Sequence, residues 1–213
     1  MTNKFRKSAF TLIELLAVLV ISAIVLGITL PSLNTLIKGQ SVEQAALNLG
    51  SELKAVRSFA ITNREYVALI FPTVESGITD RYKYKSYRPC IVNSSDVFQF
   101  WIAGNKWEFL PTGAAVLTIT TKSHLSARTI KDFEDATDIT NVNLSRIGGL
   151  NNATVKGIVF KSNGKSGSRT FIVVGGAASV RTGVSETTGT FTDTNLIDIT
   201  IDQHSGRISY GKD

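Results

Sequence analysis

Residues 15–30 carry no charged side chain, and only Ser22, Gly27 and Thr29 interrupt an otherwise aliphatic series. That run decides what the rest of the chain can be. As a helix, residues 10–31 reach about 33 Å at roughly 1.5 Å per residue. A hydrocarbon core of about 30 Å is crossed by such a length. Lys4, Arg6 and Lys7 precede it, which places the N-terminus on the cytoplasmic side. One residue is out of place. Glu14 lies inside the apolar stretch, where a carboxylate costs about 2.5–3.5 kcal/mol at the centre of a membrane helix and less toward the interface. An ionisable residue in such a position needs a partner. A cut between Ala9 and Phe10 would supply one, because the new ammonium on Phe10 can pair with Glu14 of a neighbouring subunit.

Two simpler readings compete with this. A secretory signal peptide also joins a basic start to an apolar region, but that region is about 7–15 residues long and ends at a small-residue site. The run here is longer and carries an acid at its head. A plain membrane anchor has no use for Glu14.

Residues 7–16, Lys-Ser-Ala-Phe-Thr-Leu-Ile-Glu-Leu-Leu, resemble the class III leader junction of type IV pilins and pseudopilins. The resemblance implies a prepilin peptidase that cuts after Ala9 and methylates the amine of Phe10. It also implies that Glu14 aligns each subunit with its neighbour. Ala9 departs from the glycine usual in that family, yet it is still small.

Composition adds limits. Lys4, Arg6 and Lys7 account for three of the 23 basic side chains; without them 20 stand against 17 acidic ones, a balance of +3. A modest excess of this size is weak support for nucleic-acid binding. Cys90 is the single cysteine, so no intramolecular disulfide forms, and a buried small hydrophobe is its expected role.

Pro31 removes a backbone donor and is expected to kink or interrupt the helix. Helical spacing resumes after it. Val42, Ala45, Ala46, Leu49, Leu53, Val56 and Ala60 fall on one apolar face. The chain therefore divides into a leader (1–9), a transmembrane or filament-core helix (10–31), an amphipathic continuation (32–64) and a periplasmic β domain (65–213). A continuous helix over 10–62 would be about 80 Å long. The expected fold class is α+β, a long N-terminal helix packed on a two-sheet, mostly antiparallel β domain. Strands are expected at 66–71, 81–87, 97–102, 116–120, 155–160, 170–174 and 196–202, all rich in β-branched and aromatic residues. In the last, Ile197, Ile199 and Ile201 should face the core, with Asp198, Thr200 and Asp202 on the other side. Asn163-Gly164 predicts a tight hairpin. Residues 122–152 and 175–193 read as polar loops.

The globular part resembles the GspH/FimT family. The segment 49–64 is similar to that family's Ala-Arg-Ser-x-Ala-Ile-x-Arg helix end, and 107–113 to its Leu-Pro-x-Gly stretch. Residues 158–164 are similar to its Phe-x-x-x-Gly hairpin, and 205–208 to its closing Gly-Arg strand. The resemblance implies a minor pilin or pseudopilin, built with other pilins into a type IV pilus or a type II secretion pseudopilus.

Sites for other chemistry are sparse. Lys165-Ser166 follows Gly164, but a phosphate loop needs a second glycine where Val159 stands. Asp132, Glu134, Asp135 and Asp138 are acidic without the spacing or the glycine of a calcium loop. His124 and His204 are isolated, and no serine sits in a nucleophile elbow. No enzyme activity, cofactor or metal is expected. A DNA-binding variant remains, a FimT-like minor pilin for DNA uptake. Its family motif has two arginines, where this chain has Gly206-Arg207-Ile208-Ser209. Arg207, Tyr210 and Lys212 are the candidate DNA contacts.

Overall fold

The computed structural model describes the backbone except at residues 1–10, 74–76, 122–128, 131–132, 134, 177–188, 191–195 and 213; side chains are further left undescribed at 28–39, 129–130, 189–190 and 212. Two compact units result, residues 1–38 and 39–213.

The helix α1 (Leu12–Asn63) is a single 52-residue element. It runs through Pro31 without a break. It ends where Arg64 adopts a left-handed φ of 56° and the Glu65 N–H bonds back to Ala60 O at 3.1 Å. Each residue of the expected stripe in its second half is buried, from Val42 at 1% exposure to Ala60 at 0%. Burial at i, i+3, i+4 and i+7 is what drives a helix of this composition onto a sheet.

Two main sheets receive it. The first contains β1 (Tyr66–Phe71), β2 (Ser86–Val92), β3 (Phe98–Trp101), β7 (Thr137–Val142) and β8 (Ala153–Phe160) in the order β3-β2-β1-β8-β7, with β4 (Glu108–Phe109) also paired to β2. The second contains β5 (Ala114–Thr120), β9 (Thr170–Gly176), β11 (Ile197–Ile201) and β12 (Ile208–Lys212) in the order β12-β11-β9-β5. A small ladder joins β6 (Thr129–Ile130) to β10 (Gly189–Thr190). All the ladders are antiparallel.

The period-2 rule divides β1 cleanly. Val67, Leu69 and Phe71 join Leu49, Leu53 and Val56 of α1 in one core, with Phe160, Ile172 and Ile199. Ala68 and Ile70 face the opposite way into a second core with Cys90, Val92, Ile139, Val142 and Val155. Only that second core gathers residues from all five strands of the first sheet. The reason is curvature: the edge strands approach each other, with a parallel bridge Val97–Thr140 and a Thr140 N–H to Asp96 O bond of 3.2 Å. The sheet thus curls around the second core.

Several expectations are corrected. Residues 80–85 form turns, not a strand. Tyr82 and Lys85 make i→i+3 bonds to Thr79 and Tyr82, and Tyr84 is left-handed at φ 59°. The strand starts at Ser86 and runs through Pro89, which lies between the residues that pair with β4 and those that pair with β3. A missing N–H is harmless on a flank without a ladder bond. β7 falls inside the expected loop 122–152. Its pattern is hidden by an irregularity between Ile139 and Val142 that includes left-handed Asn141. Asn163-Gly164 does turn the chain, with Gly164 N–H bonded to Lys161 O at 2.8 Å. The strands on either side, β8 and β9, nevertheless belong to different sheets. Asp198 is buried at 4% exposure on the face expected to meet solvent, because the second sheet also carries a small core on that side, formed by Ala115, Leu117, Val173 and Leu196. Cys90 is fully buried, and desolvation pushes its thiol pKa up to about 12.

Candidate functional site at the head of the helix

Ala9 and Phe10 lie outside the described residues, so the first described position of the leader junction is Thr11. Its backbone N–H donates to Glu14 Oε2 at 2.8 Å, and its hydroxyl donates to the same oxygen at 2.9 Å. The Glu14 N–H donates back to Thr11 Oγ1 at 3.3 Å. This is a capping box, in which Thr11 and Glu14 satisfy each other's orphan groups at the helix start. It also holds the carboxylate at the positive end of the helix dipole. The Thr-x-x-Glu spacing that signals it is present in the sequence, but the acid's misplacement in an apolar run drew attention to Glu14 alone. Among the described residues the bonds that Glu14 accepts both go to Oε2.

Beyond this cap the helix is bare. Every residue from 11 to 27 is exposed, with Leu12 at 82% and Ile21 at 62%. Past Thr11, the one hydroxyl up to Gly27 is that of Ser22, which bonds to Val18 O at 2.7 Å and so is satisfied within its own helix. An apolar surface on all sides of a helix has to be covered by lipid or by other helices. Among the described residues no helix is long and apolar enough to cross a membrane. The described side chains of the apolar run end at Gly27, short of the roughly 20 residues that a crossing needs.

The remaining candidates are spread apart. Arg207 is exposed in the bend that leads into β12. The Tyr210 ring lies against Gly50 of α1, with Lys54 Nζ 5.2 Å from its centroid. The Lys212 side chain is outside the described residues. Asp135 is engaged by the Thr121 N–H at 2.7 Å and by the hydroxyls of Thr120 and Thr121. Asp138 pairs with Lys156 at 2.9 Å. Asp132, Glu134 and His124 lie outside the described residues, and His204 is an exposed turn residue. Among the described residues no three metal-ligating side chains cluster.

One residue that entered the sequence analysis only as part of the segment 49–64 joins two other motifs. Arg57 of α1 donates from Nε to Gly164 O at 3.1 Å and from Nη2 to Ser205 O at 2.8 Å. It therefore ties the helix to a turn at the end of the first sheet and to the β11–β12 turn of the second.

Comparison with known proteins bears on the N-terminus. Residues 4–30 match the family model described as the prokaryotic N-terminal methylation motif. The chain thus carries a prokaryotic N-terminal methylation motif at its head. Among solved structures it is similar to the type IV minor pilin FimU of Pseudomonas aeruginosa (strain PAO1). To the P21 crystal form it is 13% identical with a TM-score of 0.42, over 81% of this chain and 89% of that one. To the P65 form it is 14% identical with a TM-score of 0.39, over 79% and 91%. No curated protein matches the chain.

Proposed function

We propose that this chain is a minor pilin or pseudopilin subunit, processed by a prepilin peptidase and assembled with other pilins into a type IV pilus or a type II secretion pseudopilus. The observation that carries the reading is the methylation motif over residues 4–30 at the head of a helix whose apolar surface is exposed on all sides. In this account the helix first resides in the inner membrane with the β domain in the periplasm. On assembly it exchanges lipid for neighbouring helices. Glu14, held in place by Thr11, meets the amine of a neighbour's Phe10 and neutralises it. A charge pair enters an apolar filament core at far lower cost than either charge alone. Intact-mass analysis and N-terminal sequencing of the membrane form test the processing step. The expected mature chain begins at Phe10 and carries one extra methyl group. A chain that begins at Met1, or after Ala23, refutes the proposal.

A further inference from the structure

A groove runs between the second half of α1 and the edge of the first sheet where β4 pairs with β2. On the helix it is lined by Asn48, Ser51, Glu52 and Ala55, and on the sheet by Tyr87, Glu108 and Phe109. The four helix positions form one stripe beside the buried Leu49, Leu53 and Val56. Short side chains at Ser51 and Ala55 leave the space open, about 480 Å³ in all. The opposite wall is set by strand pairing. Glu108 stands in register with Tyr87, so the two side chains leave the sheet on the same face, with Cβ atoms about 5 Å apart. On that face Tyr87 packs against Phe71, at 6.4 Å between ring centroids, in the core shared with α1.

The polar groups of this groove lack partners. Glu52 is half-buried and Glu108 is exposed. Among the described residues neither carboxylate makes an ion pair or accepts a hydrogen bond. Arg81 lies 5.0 Å from the Phe109 centroid but pairs with neither acid. Tyr87 is only 2% exposed, yet its hydroxyl has no hydrogen-bond partner among the described residues. A buried tyrosine hydroxyl ordinarily finds one, and here Tyr87 forms part of the groove wall. Burial first, then the charges of Glu108 and Glu52, pushes the Tyr87 phenol up, so it stays neutral. Burial and then Glu108 also raise the Glu52 carboxyl. Two like charges in a partly desolvated groove oppose each other, and a cation between them relieves both.

The kind of cation follows from the walls. The acceptors come from two elements, one carboxylate on the helix and one on the sheet. A compact ammonium with three donors can serve both and the phenol oxygen as well. A guanidinium is matched instead by the two oxygens of a single carboxylate in its plane. Calcium takes six to eight oxygen ligands, and among the described residues no three metal-ligating side chains cluster. Glu108 and Phe109 are exposed at the rim, so the groove opens outward, within reach of a side chain held on another surface. Phe109 offers that side chain an apolar edge for its methylene stem.

We infer that this groove is a docking socket for a lysine presented by a partner protein. The ammonium enters between Glu52 and Glu108 and donates to the Tyr87 hydroxyl, while the stem passes over Phe109. The socket lies wholly within the unit 39–213 and does not depend on how the N-terminal helix is used.

The probe is a fluorescein-labelled dodecapeptide of alternating lysine and serine, titrated with the full-length chain in neutral detergent micelles and read by fluorescence anisotropy. A saturable rise is expected, weaker as salt is raised. Glu52→Gln and Glu108→Gln should each reduce the affinity about tenfold. Tyr87→Phe, which removes only an unpartnered hydroxyl, should reduce it about threefold. None of the three should melt below wild type. Glu65→Gln, at an exposed acid outside the groove, should leave binding unchanged. The inference is overturned by the absence of saturable binding, or by binding that survives Glu52→Gln. An equal loss on Glu65→Gln overturns it too, since that marks diffuse charge attraction. So does tighter binding of a matched arginine–serine peptide, or displacement of the lysine peptide by calcium or free spermine at the peptide's own concentration.

Discussion

Arg57→Ala removes a side chain that bonds to turns from both main sheets, and its cost can be worked from the geometry. The Nε bond to Gly164 O is 3.1 Å and the Nη2 bond to Ser205 O is 2.8 Å. Hydrogen bonds to charged groups contribute about 1.5–3 kcal/mol each. Arg57 is only half-buried, and water can reach both carbonyls once it is gone, so the lower end applies. A loss of about 2–4 kcal/mol follows for the pair. For a domain of this size each kcal/mol shifts the melting temperature by roughly 2–4 °C, which gives a fall of about 4–16 °C. Lysine has a single point charge and no fork, so Arg57→Lys should restore less than half of the loss. The packing around the side chain sharpens the test. Gly206, at φ 63°, approaches so closely that an added Cβ would collide with Gly164 O and come within 2.8 Å of Arg57 Nε. Gly206→Ala should therefore destabilise strongly, and the double variant should lose less than the sum of the two. Thermal unfolding of the full-length chain in detergent, followed by circular dichroism and tryptophan emission, reads all four variants against wild type. A melting temperature for Arg57→Ala within about 1 °C of wild type would refute the reasoning.

Three further expectations follow from the same packing. Leu53 is fully buried between α1 and the sheets, so Leu53→Ala should cost about 2–5 kcal/mol in denaturant unfolding. Glu52 faces a groove of about 480 Å³ that it shares with Tyr87 and Glu108, and burial first, then the charge of Glu108, raises its pKa. The folded state therefore holds the proton more tightly than the unfolded state, and stability should decline as pH rises from the ordinary glutamate range through the raised value. Glu52→Gln should raise the melting temperature at neutral pH, with the gain vanishing below about pH 4; a gain that persists in acid counts against this. With Tyr210 packed on the helix and Ser209 in place of a second arginine, duplex DNA should bind no better than about 10⁻⁴–10⁻⁶ M. Sub-micromolar binding at physiological salt, lost on Arg207→Ala, would make DNA uptake the leading account.

The sequence displayed some of this structure more openly than the rest. The stripe from Val42 to Ala60 is visible because helical burial is periodic and unbroken there. The strands β1, β8, β9 and β11 are visible because runs of β-branched residues bury at least one face. What escaped is where the backbone leaves its period. In the turn at 80–85, Tyr82 and Tyr84 alternate with Arg81, Lys83 and Lys85 as in a half-buried strand, and β7 loses its alternation at left-handed Asn141. Asp198 reads as outward-facing because alternation says nothing about whether a second layer covers that side. At the site, Glu14 stands out because a charge in an apolar run has a cost, whereas Thr11 is an ordinary residue until its hydroxyl is seen on the carboxylate. The contacts of Arg57 and Arg88 were invisible for a related reason. Their partners are a backbone carbonyl more than a hundred residues away and an indole ring on the next strand, and no local pattern announces either.

The central claim is that Glu14 brings the processed chain into a filament. Its most direct test is the amount of this chain recovered in sheared or affinity-isolated filaments from cells that express wild type or Glu14→Ala at equal levels. The capping box contributes about 1 kcal/mol to the helix start, so the variant should still enter the membrane, relieved of a costly charge. The account predicts wild-type chain in the filament fraction, beginning at methylated Phe10, and Glu14→Ala chain that is processed but stays in the membrane fraction. Equal recovery of the two in filaments would contradict it.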